Sequence, residues 1–391
     1  MNKKKPVRII SPSFVLLGEV DNYESLFFTR SWHGLGSLEM RINRYKKHVD
    51  KLIKGNIIFP FADVHKAFII RHREIELDEN GKITENWKIH ALPLKSFVGQ
   101  RITVPPEKQE FDKIDGDSES IIKHYVDRHL VNPLDPKRKL PNLVIAENQH
   151  RGAQTSWLSR YINLSEEITN ISLFSGLGWN IYLDLENKQF VFDVYEGSDL
   201  TSNQDTLPPV MFSPDFDSIK QMAYLESDLN YKNTAYVGGP GESVERIIEE
   251  VGVGVGVNRF EIFLDARNVE TEIPVPEGEE GEPTPRSEDE VRAEVRAIGE
   301  RELKEYEHEI YLEGQILTKS PFVYEKHYNL GDIVTMQNKD WGVTMDARIT
   351  EIKEIYETSG FQLEATFGND RPTIIKKIKQ ELKQISGEVR R

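Results

Sequence analysis

Strand-like runs near both ends of the chain constrain its fold more than any other feature. Residues 1–110 contain short runs rich in aromatic and β-branched residues, separated by turn formers such as the Asp-Glu-Asn-Gly sequence at 78–81. The same pattern returns over 309–370, where Gly331 and Asp332 stand at one turn. Helical periodicity is concentrated between and after these two regions. We therefore predict a β-rich α+β protein in which both regions form antiparallel sheet.

The segment 111–205 differs from the strand regions because it carries helix signals. Asp117 and Ser118 can cap a helix whose apolar residues recur at helical spacing, and a second helix is predicted to start at Ser165 and to end at Gly176. A strand hairpin is predicted after these helices. We expect this segment to be an inserted α/β domain.

The second strand region is predicted to be interrupted in a similar way. We assign 206–242 and 309–370 to one β domain and 243–308 to a domain inserted in it. Within the insert, 271–290 is acidic: seven acidic residues and one basic residue occur over 276–290. Such a stretch cannot bury enough apolar surface to become ordered, so a mobile, exposed loop is expected there.

The last segment, 371–391, is predicted to be an amphipathic helix. Its apolar residues recur at alternating steps of three and four, which is the spacing of a coiled coil. These residues are Ile375, Ile378, Leu382, Ile385 and Val389. Isoleucine at both core positions of such a repeat favours three strands, so the five residues are a candidate assembly site.

Composition excludes several classes of function. The 391 residues include no cysteine, which removes disulfides, thiolate nucleophiles, cysteine zinc sites and iron–sulfur clusters. Acidic residues outnumber basic ones by 65 to 50, and the net charge of −15 argues against general affinity for nucleic acid or anionic lipid. No apolar run reaches the roughly 18 residues of a membrane-spanning helix, so stable membrane insertion is not expected.

Glycine-rich stretches invite a nucleotide-binding interpretation that their details do not support. The sequence Gly-Gly-Pro-Gly at 238–241 is not followed by the Lys-Ser/Thr pair of a phosphate loop, so a tight turn is expected. Gly252, Gly254 and Gly256 alternate with valine, which is typical of a strand that packs closely against neighbouring backbone. No cofactor is predicted.

Histidine spacing gives no metal signature. His124 and His129 lie five positions apart on a predicted helix and should point to different faces, whereas a helical metal pair needs a spacing of four. His65, His72 and His90 occur singly in strand-like surroundings. We expect surface or structural roles for all five, and we predict neither a metal site nor a catalytic residue.

Three segments in order along the chain carry a family resemblance. The sequence Ser-Trp-His-Gly-Leu-Gly-Ser-Leu-Glu-Met at 31–40, within the strand-like stretch 14–42, resembles the first strands of siphophage tail-tip or baseplate-hub proteins. These are the tail-associated, Gp37-like proteins of phages of Gram-positive bacteria. The sequences Tyr-Asn-Leu-Gly-Asp-Ile-Val at 328–334 and Asp-Ala-Arg-Ile-Thr-Glu-Ile at 346–352 resemble the second barrel of that family.

The resemblance implies two tail-tube-like antiparallel β-barrel domains, one over 1–110 and one over 206–242 with 309–370, each accompanied by a smaller domain. It implies a homotrimer in which six barrels form a pseudo-sixfold ring, joining a sixfold tail tube to a threefold tip and framing the channel for DNA. The implied partners are the distal tail protein next to the tube and a tip or spike protein. The implied location is the virion, with assembly in the host cytoplasm.

Two other classes of function remain open. A tail-associated hydrolase of peptidoglycan or polysaccharide would need paired carboxylates in apolar surroundings, and the nearest case, Asp193, is explained by strand alternation. A host carbohydrate-binding module would need exposed aromatic platforms. The tryptophans are scattered through strand contexts, where core packing is expected; they are Trp32, Trp87, Trp157, Trp179 and Trp341.

Overall fold

A computed structural model gives the fold for most of the chain. It describes residues 5–77, 84–273, 282–317 and 319–368. The predicted turn at 78–81, residues 274–281 of the acidic stretch, and the predicted C-terminal helix at 371–391 lie outside the described residues. Two units are distinguished: one built from 1–106, 110–223 and 312–370, and one built mainly from 224–311.

The first strand region forms seven antiparallel strands. They are β1 (Val7–Ile10), β2 (Leu16–Val20), β3 (Ser25–Ser31), β4 (Gly36–Asn43), β5 (Ile57–Pro60), β6 (Phe68–Glu74) and β7 (Asn86–Pro93). Their order in the sheet is β3-β4-β7-β6-β5-β1-β2. Alternation places Leu38, Met40 and Ile42 of β4 in the core while the residues between them stay partly exposed. The predicted antiparallel sheet is confirmed, although β1 was not anticipated.

The segment 111–205 forms the predicted mixture of helices and strands. Its elements are β8 (Asp112–Asp117), α1 (Ser118–Val126), β9 (Leu143–Ile145), β10 (Gln154–Ser159), α2 (Leu164–Ser175), β11 (Gly178–Asp184) and β12 (Gln189–Tyr195). Asp117 caps α1 as predicted, by accepting a 2.8 Å hydrogen bond from Ser120 N. The cap of α2 is Asn163 and not Ser165, because the Asn163 carboxamide accepts from Ser165 N. Gly176 ends α2 in the left-handed conformation, with φ of 75°.

This α/β segment packs on the first strands. One core cluster joins Phe59 of β5 and Ile69 of β6 to Tyr125 of α1 and Phe192 of β12. The next residue of β5, Ile58, points to the opposite side and belongs to a second cluster inside the first strand region. Both faces of β5 are therefore buried, and segment 111–205 lies within the same unit as the strands.

Three strands follow the α/β segment before the second unit begins. They are β13 (Asp199–Leu200), β14 (Met211–Phe212) and β15 (Ile219–Ser227). The first two pair in parallel with a later strand, and β15 becomes an edge of the long sheet described below.

The second unit is a small sheet covered by one helix. Its elements are β16 (Thr234–Gly238), β17 (Ile248–Gly252), β18 (Glu261–Asp265), β19 (Glu272–Ile273), β20 (Thr284–Pro285) and α3 (Glu288–Leu303). The short pair β19 and β20 lies in the stretch predicted to be an acidic loop. Ser287 and Glu290 form a reciprocal capping box at the start of α3. Gly299 allows close packing, since a Cβ there would lie 2.3 Å from Val237.

The last strands complete a long sheet in the first unit. They are β21 (Glu309–Ile316), β22 (Ile333–Asn338), β23 (Val343–Glu357) and β24 (Gly360–Gly368). The first half of β23 pairs with β22, and its second half pairs with β3 on one edge and with β24 on the other. The sheet order is β15-β21-β24-β23-β3-β4-β7-β6-β5-β1-β2. Strands from the two ends of the chain therefore share one sheet, joined where β23 meets β3. Among the described residues, none of the helices has the length and apolar character needed to cross a membrane.

Candidate functional surface and buried ionic cluster

One face of the long sheet is mostly polar from β21 to β6, although the paired residues Phe27 and Ile355 also lie on it. Because side chains alternate across a strand, the polar residues of this face stand next to core residues whose side chains point to the opposite side of the sheet. They are Thr29, Ser37, Glu39, Arg41, His72, Glu74, Lys88, His90, Glu313, Gln315, Glu351, Lys353, Gln362, Glu364 and Thr366. The strand registers place them together: Lys353 lies opposite Thr29 on β3 and opposite Glu364 on β24. We call these residues the polar sheet face.

A groove of about 370 Å³ lies on this face over β15, β21, β24, β23 and β3. Three carboxylates line it, from Glu313, Glu351 and Glu364, against one ammonium group, that of Lys353. Lys353 and Glu364 form a partly exposed ion pair of 2.9 Å. Such a lining holds water and suits no large apolar ligand. The polar sheet face is therefore a hydrated, weakly acidic surface that continues across the junction of β23 with β3.

A buried ionic cluster lies on the opposite side of the same junction. The Lys66 side chain is 2% exposed, and its Nζ lies 2.7 Å from Oε1 of Glu354 and 2.5 Å from Oε1 of Glu325. The guanidinium group of Arg30 lies 3.6 Å from Glu325 and donates to the hydroxyl of Tyr324. Asp63 adds a third carboxylate, with its Oδ2 3.8 Å from Nζ of Lys66, so two cations meet three carboxylates. This buried ionic cluster connects the first strand region to the last.

Tyrosines complete the hydrogen bonding of the buried ionic cluster. The hydroxyl of Tyr356 donates a 2.7 Å hydrogen bond to the second carboxylate oxygen of Glu354. Burial raises the pKa of Tyr356 and of Tyr324, so both hydroxyls remain protonated; that of Tyr356 donates, and that of Tyr324 accepts from Arg30. Burial opposes the charge of Arg30, but the electrostatic influence of Tyr324, Glu354 and Glu325 outweighs it and raises the Arg30 pKa.

The prediction that His124 and His129 point apart is wrong. After α1 the chain continues through a π-helical turn at Asp127–Val131, in which the N–H of Asn132 bonds to the carbonyl of Asp127. This turn brings both imidazoles to Asp112: Nε2 of His124 lies 3.1 Å from Oδ1 and Nε2 of His129 lies 3.5 Å from Oδ2. Burial alone would raise the Asp112 pKa, but interactions with these histidines lower it to about 2.

The three remaining histidines of the sequence analysis, His65, His72 and His90, fall into two groups. His65 packs against Tyr182 with ring centroids 4.6 Å apart and ring planes tilted by 36°, which is a structural role as expected. His72 and His90 do not occur singly in space: they lie opposite each other on β6 and β7. Asp193 lies on β12 with Lys123 at 3.5 Å, and this ion pair with strand alternation accounts for its position.

The glycine-rich segments lie in the second unit. The carbonyls of Gly238 and Gly239 accept hydrogen bonds from Arg246, so this turn directs acceptors, not amide donors, to its charged neighbour. Close packing against neighbouring backbone is confirmed at Gly252, where a Cβ would lie 2.0 Å from the carbonyl oxygen of Asn233. At Gly254 the nearest atom is the side-chain Oδ1 of Asn233, 2.2 Å from the position of a Cβ. The strand prediction fails beyond position 252, where β17 ends. The valines at 253, 255 and 257 are 76–94% exposed.

The candidate assembly residues cannot be placed on this structure. Ile375, Ile378, Leu382, Ile385 and Val389 all lie outside the described residues. The residues that sequence reasoning overlooked are those of the buried ionic cluster. One signal was present: Glu354 stands between Ile352 and Tyr356, at a strand position where alternation calls for an apolar side chain.

Three solved structures similar to this chain are tail proteins. The 43 kDa tail protein of prophage MuSo2 from Shewanella oneidensis aligns over 93% of this chain and 98% of its own, with a TM-score of 0.55 and 11% identity. A tail protein from Neisseria meningitidis aligns over 93% and 96%, with a TM-score of 0.54 and 11% identity. The prophage tail protein gp18 from Listeria monocytogenes aligns over 98% and 99%, with a TM-score of 0.52 and 14% identity. At these identities the likeness shows a shared fold.

Sequence comparison gives the family. No curated protein sequence matches the chain. The family described as Siphovirus ReqiPepy6 Gp37-like protein matches residues 6–369. Since this match covers nearly the whole chain, the protein belongs to the siphovirus Gp37-like family.

Proposed function

We propose that this protein is the structural hub of a phage tail tip or baseplate. Three copies form a ring, each contributing the strand regions 1–110 and 206–223 with 312–370 as tube-like β-barrel domains, because residues 224–311 form the second unit. Six similar domains then face a sixfold tail tube while the trimer faces a threefold tip. The observation that carries this proposal is the single long sheet, in which strands from both ends of the chain present one mostly polar face.

A ring wall needs its two domains held in a fixed relation. The shared strand β23 supplies backbone pairing to both regions, and the buried ionic cluster adds contacts between Lys66 and residues near 325 and 354. Both features favour a rigid body over two hinged domains. In this role, assembly is the function, and we propose no catalytic residue or cofactor.

We propose that the polar sheet face lines the channel. Its five glutamates exceed its three basic residues, so it repels the phosphate backbone of passing DNA and gives a double helix little to bind. Its water layer also avoids the apolar contacts that would retard a moving polymer. The core cluster inside the first strand region, which includes Leu38, Met40 and Ile70, lies behind it and makes the wall solid.

The proposed partners are the distal tail protein on the tube side and a tip or spike protein on the other, with the residues at 375–389 supporting trimer formation or tip docking. The proposed location is the virion after assembly in the host cytoplasm. A carbohydrate-binding role is less well supported because Trp32, Trp157 and Trp179 are at most 7% exposed, although Trp341, for which core packing was expected, is 48% exposed. Such buried rings cannot form a sugar platform.

Light scattering and electron microscopy test the proposal. We expect a mass of three chains at micromolar concentration and threefold rings with a central hole. The absence of cysteine allows a test of the channel wall with single-cysteine variants. Thr366→Cys on the polar sheet face should react with a small maleimide but be shielded from a bulky polymer maleimide in the ring. Asn187→Cys, at an exposed hairpin turn, should react with both.

A strict monomer at all concentrations, even with tail-tube protein present, would refute the ring. A trimer in which Thr366→Cys and Asn187→Cys react equally with the bulky reagent would keep the ring and refute the assignment of the channel wall.

A further inference from the structure

Two imidazoles and one carboxylate meet on the polar sheet face where β6 pairs with β7. One ligand atom from each of His72, Glu74 and His90 lies within 4.8 Å of the other two. The imidazole rings of His72 and His90 are 5.3 Å apart between centroids, and Nε2 of His72 lies 3.7 Å from Oε2 of Glu74. We propose that these three residues bind a divalent transition-metal ion of the Zn²⁺ class. The proposal does not depend on the hub role.

A β-bulge creates this juxtaposition. Ile70 pairs with Ala91, and the next pair is His72 with His90, so Arg71 is the extra residue. In a regular register Arg71 would stand opposite His90, and a guanidinium group would take the place of the second imidazole. Bulges commonly redirect a side chain in this way. The bulge therefore places the imidazole of His72, instead of the guanidinium group of Arg71, opposite His90.

The spacing of the ligand atoms suits a small ion. Tetrahedral Zn²⁺ with bonds of about 2.0–2.2 Å holds its ligand atoms about 3.3–3.6 Å apart. The three side chains are between 37% and 58% exposed, so rotamer changes close the remaining gap without backbone movement. Three protein ligands leave a position for water. Nitrogen donors favour Zn²⁺, Co²⁺, Ni²⁺ and Cu²⁺ over Mg²⁺ and Ca²⁺.

Two neighbouring charged residues have opposite effects on metal binding at this site: Glu39 favours it and Lys88 opposes it. Oε2 of Glu39 lies 3.8 Å from Nδ1 of His90, where it adds negative charge and can orient the imidazole. Nζ of Lys88 lies 4.0 Å from Glu74 and competes with a metal ion for that carboxylate. Lys88 also has Glu76 at 3.5 Å, so it retains a partner when Glu74 turns to the metal.

Isothermal titration of the full-length protein with ZnCl₂ tests the site directly, with MgCl₂ as the hard-cation comparison. We expect one Zn²⁺ per chain and a loss of at least about tenfold in affinity in His72→Asn and in His90→Asn, since even outer partners of a metal ligand are worth that much. Lys88→Gln should bind Zn²⁺ more tightly than the wild type. Zn²⁺ should also raise the melting temperature of the wild type more than that of His72→Asn.

His150→Asn is the matched control. His150 is also exposed and lies 3.0 Å from a carboxylate, that of Asp117, but it is not part of the His72 cluster. Its replacement should leave Zn²⁺ affinity unchanged. Equal affinity in the wild type, His72→Asn and His90→Asn would overturn the proposal, as would equal affinity for Zn²⁺ and Mg²⁺. These outcomes concern binding to the chain and leave the trimer measurements independent.

Discussion

Replacing Lys66 with methionine should destabilise the first unit by about 3 kcal/mol. The change removes the ammonium group 2.7 Å from Glu354 and leaves that carboxylate, 3% exposed, without its cation. Breaking a buried pair by removing one partner costs about 3–5 kcal/mol because a buried charge stays uncompensated. We expect the lower end of this range, because Tyr356 still donates to Glu354 and Glu325, 40% exposed, can rehydrate.

Urea unfolding followed by tryptophan fluorescence measures this effect selectively, because all five tryptophans lie in the first unit. The variant Lys66→Met should lower the midpoint without changing the slope. Adding Glu354→Gln should recover most of the loss, since the carboxamide is neutral and still accepts from Tyr356. Lys353→Met is the matched control: its neighbouring ion pair is about 40% exposed and should be worth at most about 1 kcal/mol.

Two results would refute this account of the buried ionic cluster. One is a Lys66→Met variant no less stable than Lys353→Met. The other is a double variant, Lys66→Met with Glu354→Gln, that is no more stable than the single one.

Three further outcomes are expected. Asp112→Asn should lower the free energy of unfolding by about 2 kcal/mol at pH 7, because the folded-state pKa of Asp112 is lowered from 3.8 to about 2. This stabilisation is present above about pH 4 and is lost as the pH falls to about 2. The urea midpoints of the wild type and the variant should therefore converge at about pH 2. In thermal unfolding, Gly331→Ala should destabilise the protein by at least about 2 kcal/mol more than Gly342→Ala. Both glycines have positive φ, but only at Gly331 would a Cβ collide with a buried side chain, the indole of Trp32, at 2.2 Å. Ile378 and Ile385 can be replaced together by aspartate. If the C-terminal residues form a central bundle, light scattering should show loss of the trimer; if they dock on the tip protein, binding of that protein should be lost while the trimer stays intact. A variant with an unchanged trimer and unchanged tip-protein binding would show that these residues have no assembly role.

Local patterns in the sequence predicted most strands and helices, because alternation and capping act over a few residues. The missed strands show the limit of such patterns. In β8, Asp112–Asp117, acidic residues and a glycine resemble a loop, and the strand forms only through pairing with β10. Here tertiary pairing overrides local propensity.

The candidate surface was less predictable than the fold. The contact of Lys66 with Glu354 joins positions 288 residues apart, and no local pattern indicates such a partner. The meeting of His72 with His90 depends on one extra residue in β6, and a one-residue change in register reverses which face a side chain occupies. The π-helical turn after α1 had a similar effect on His124 and His129.

During synthesis of the chain, β3 is made long before β23, the strand that pairs with one of its edges. Ser31 leaves the ribosome 320 residues before Glu351, with which it pairs. At about 5–20 residues per second this interval lasts roughly 16–64 s. Throughout it, one edge of β3 lacks the strand that covers it in the finished protein, and open strand edges are sites of aggregation. The nascent chain therefore carries this open strand edge until β23 emerges, and a fragment ending near residue 110 carries the same open edge permanently.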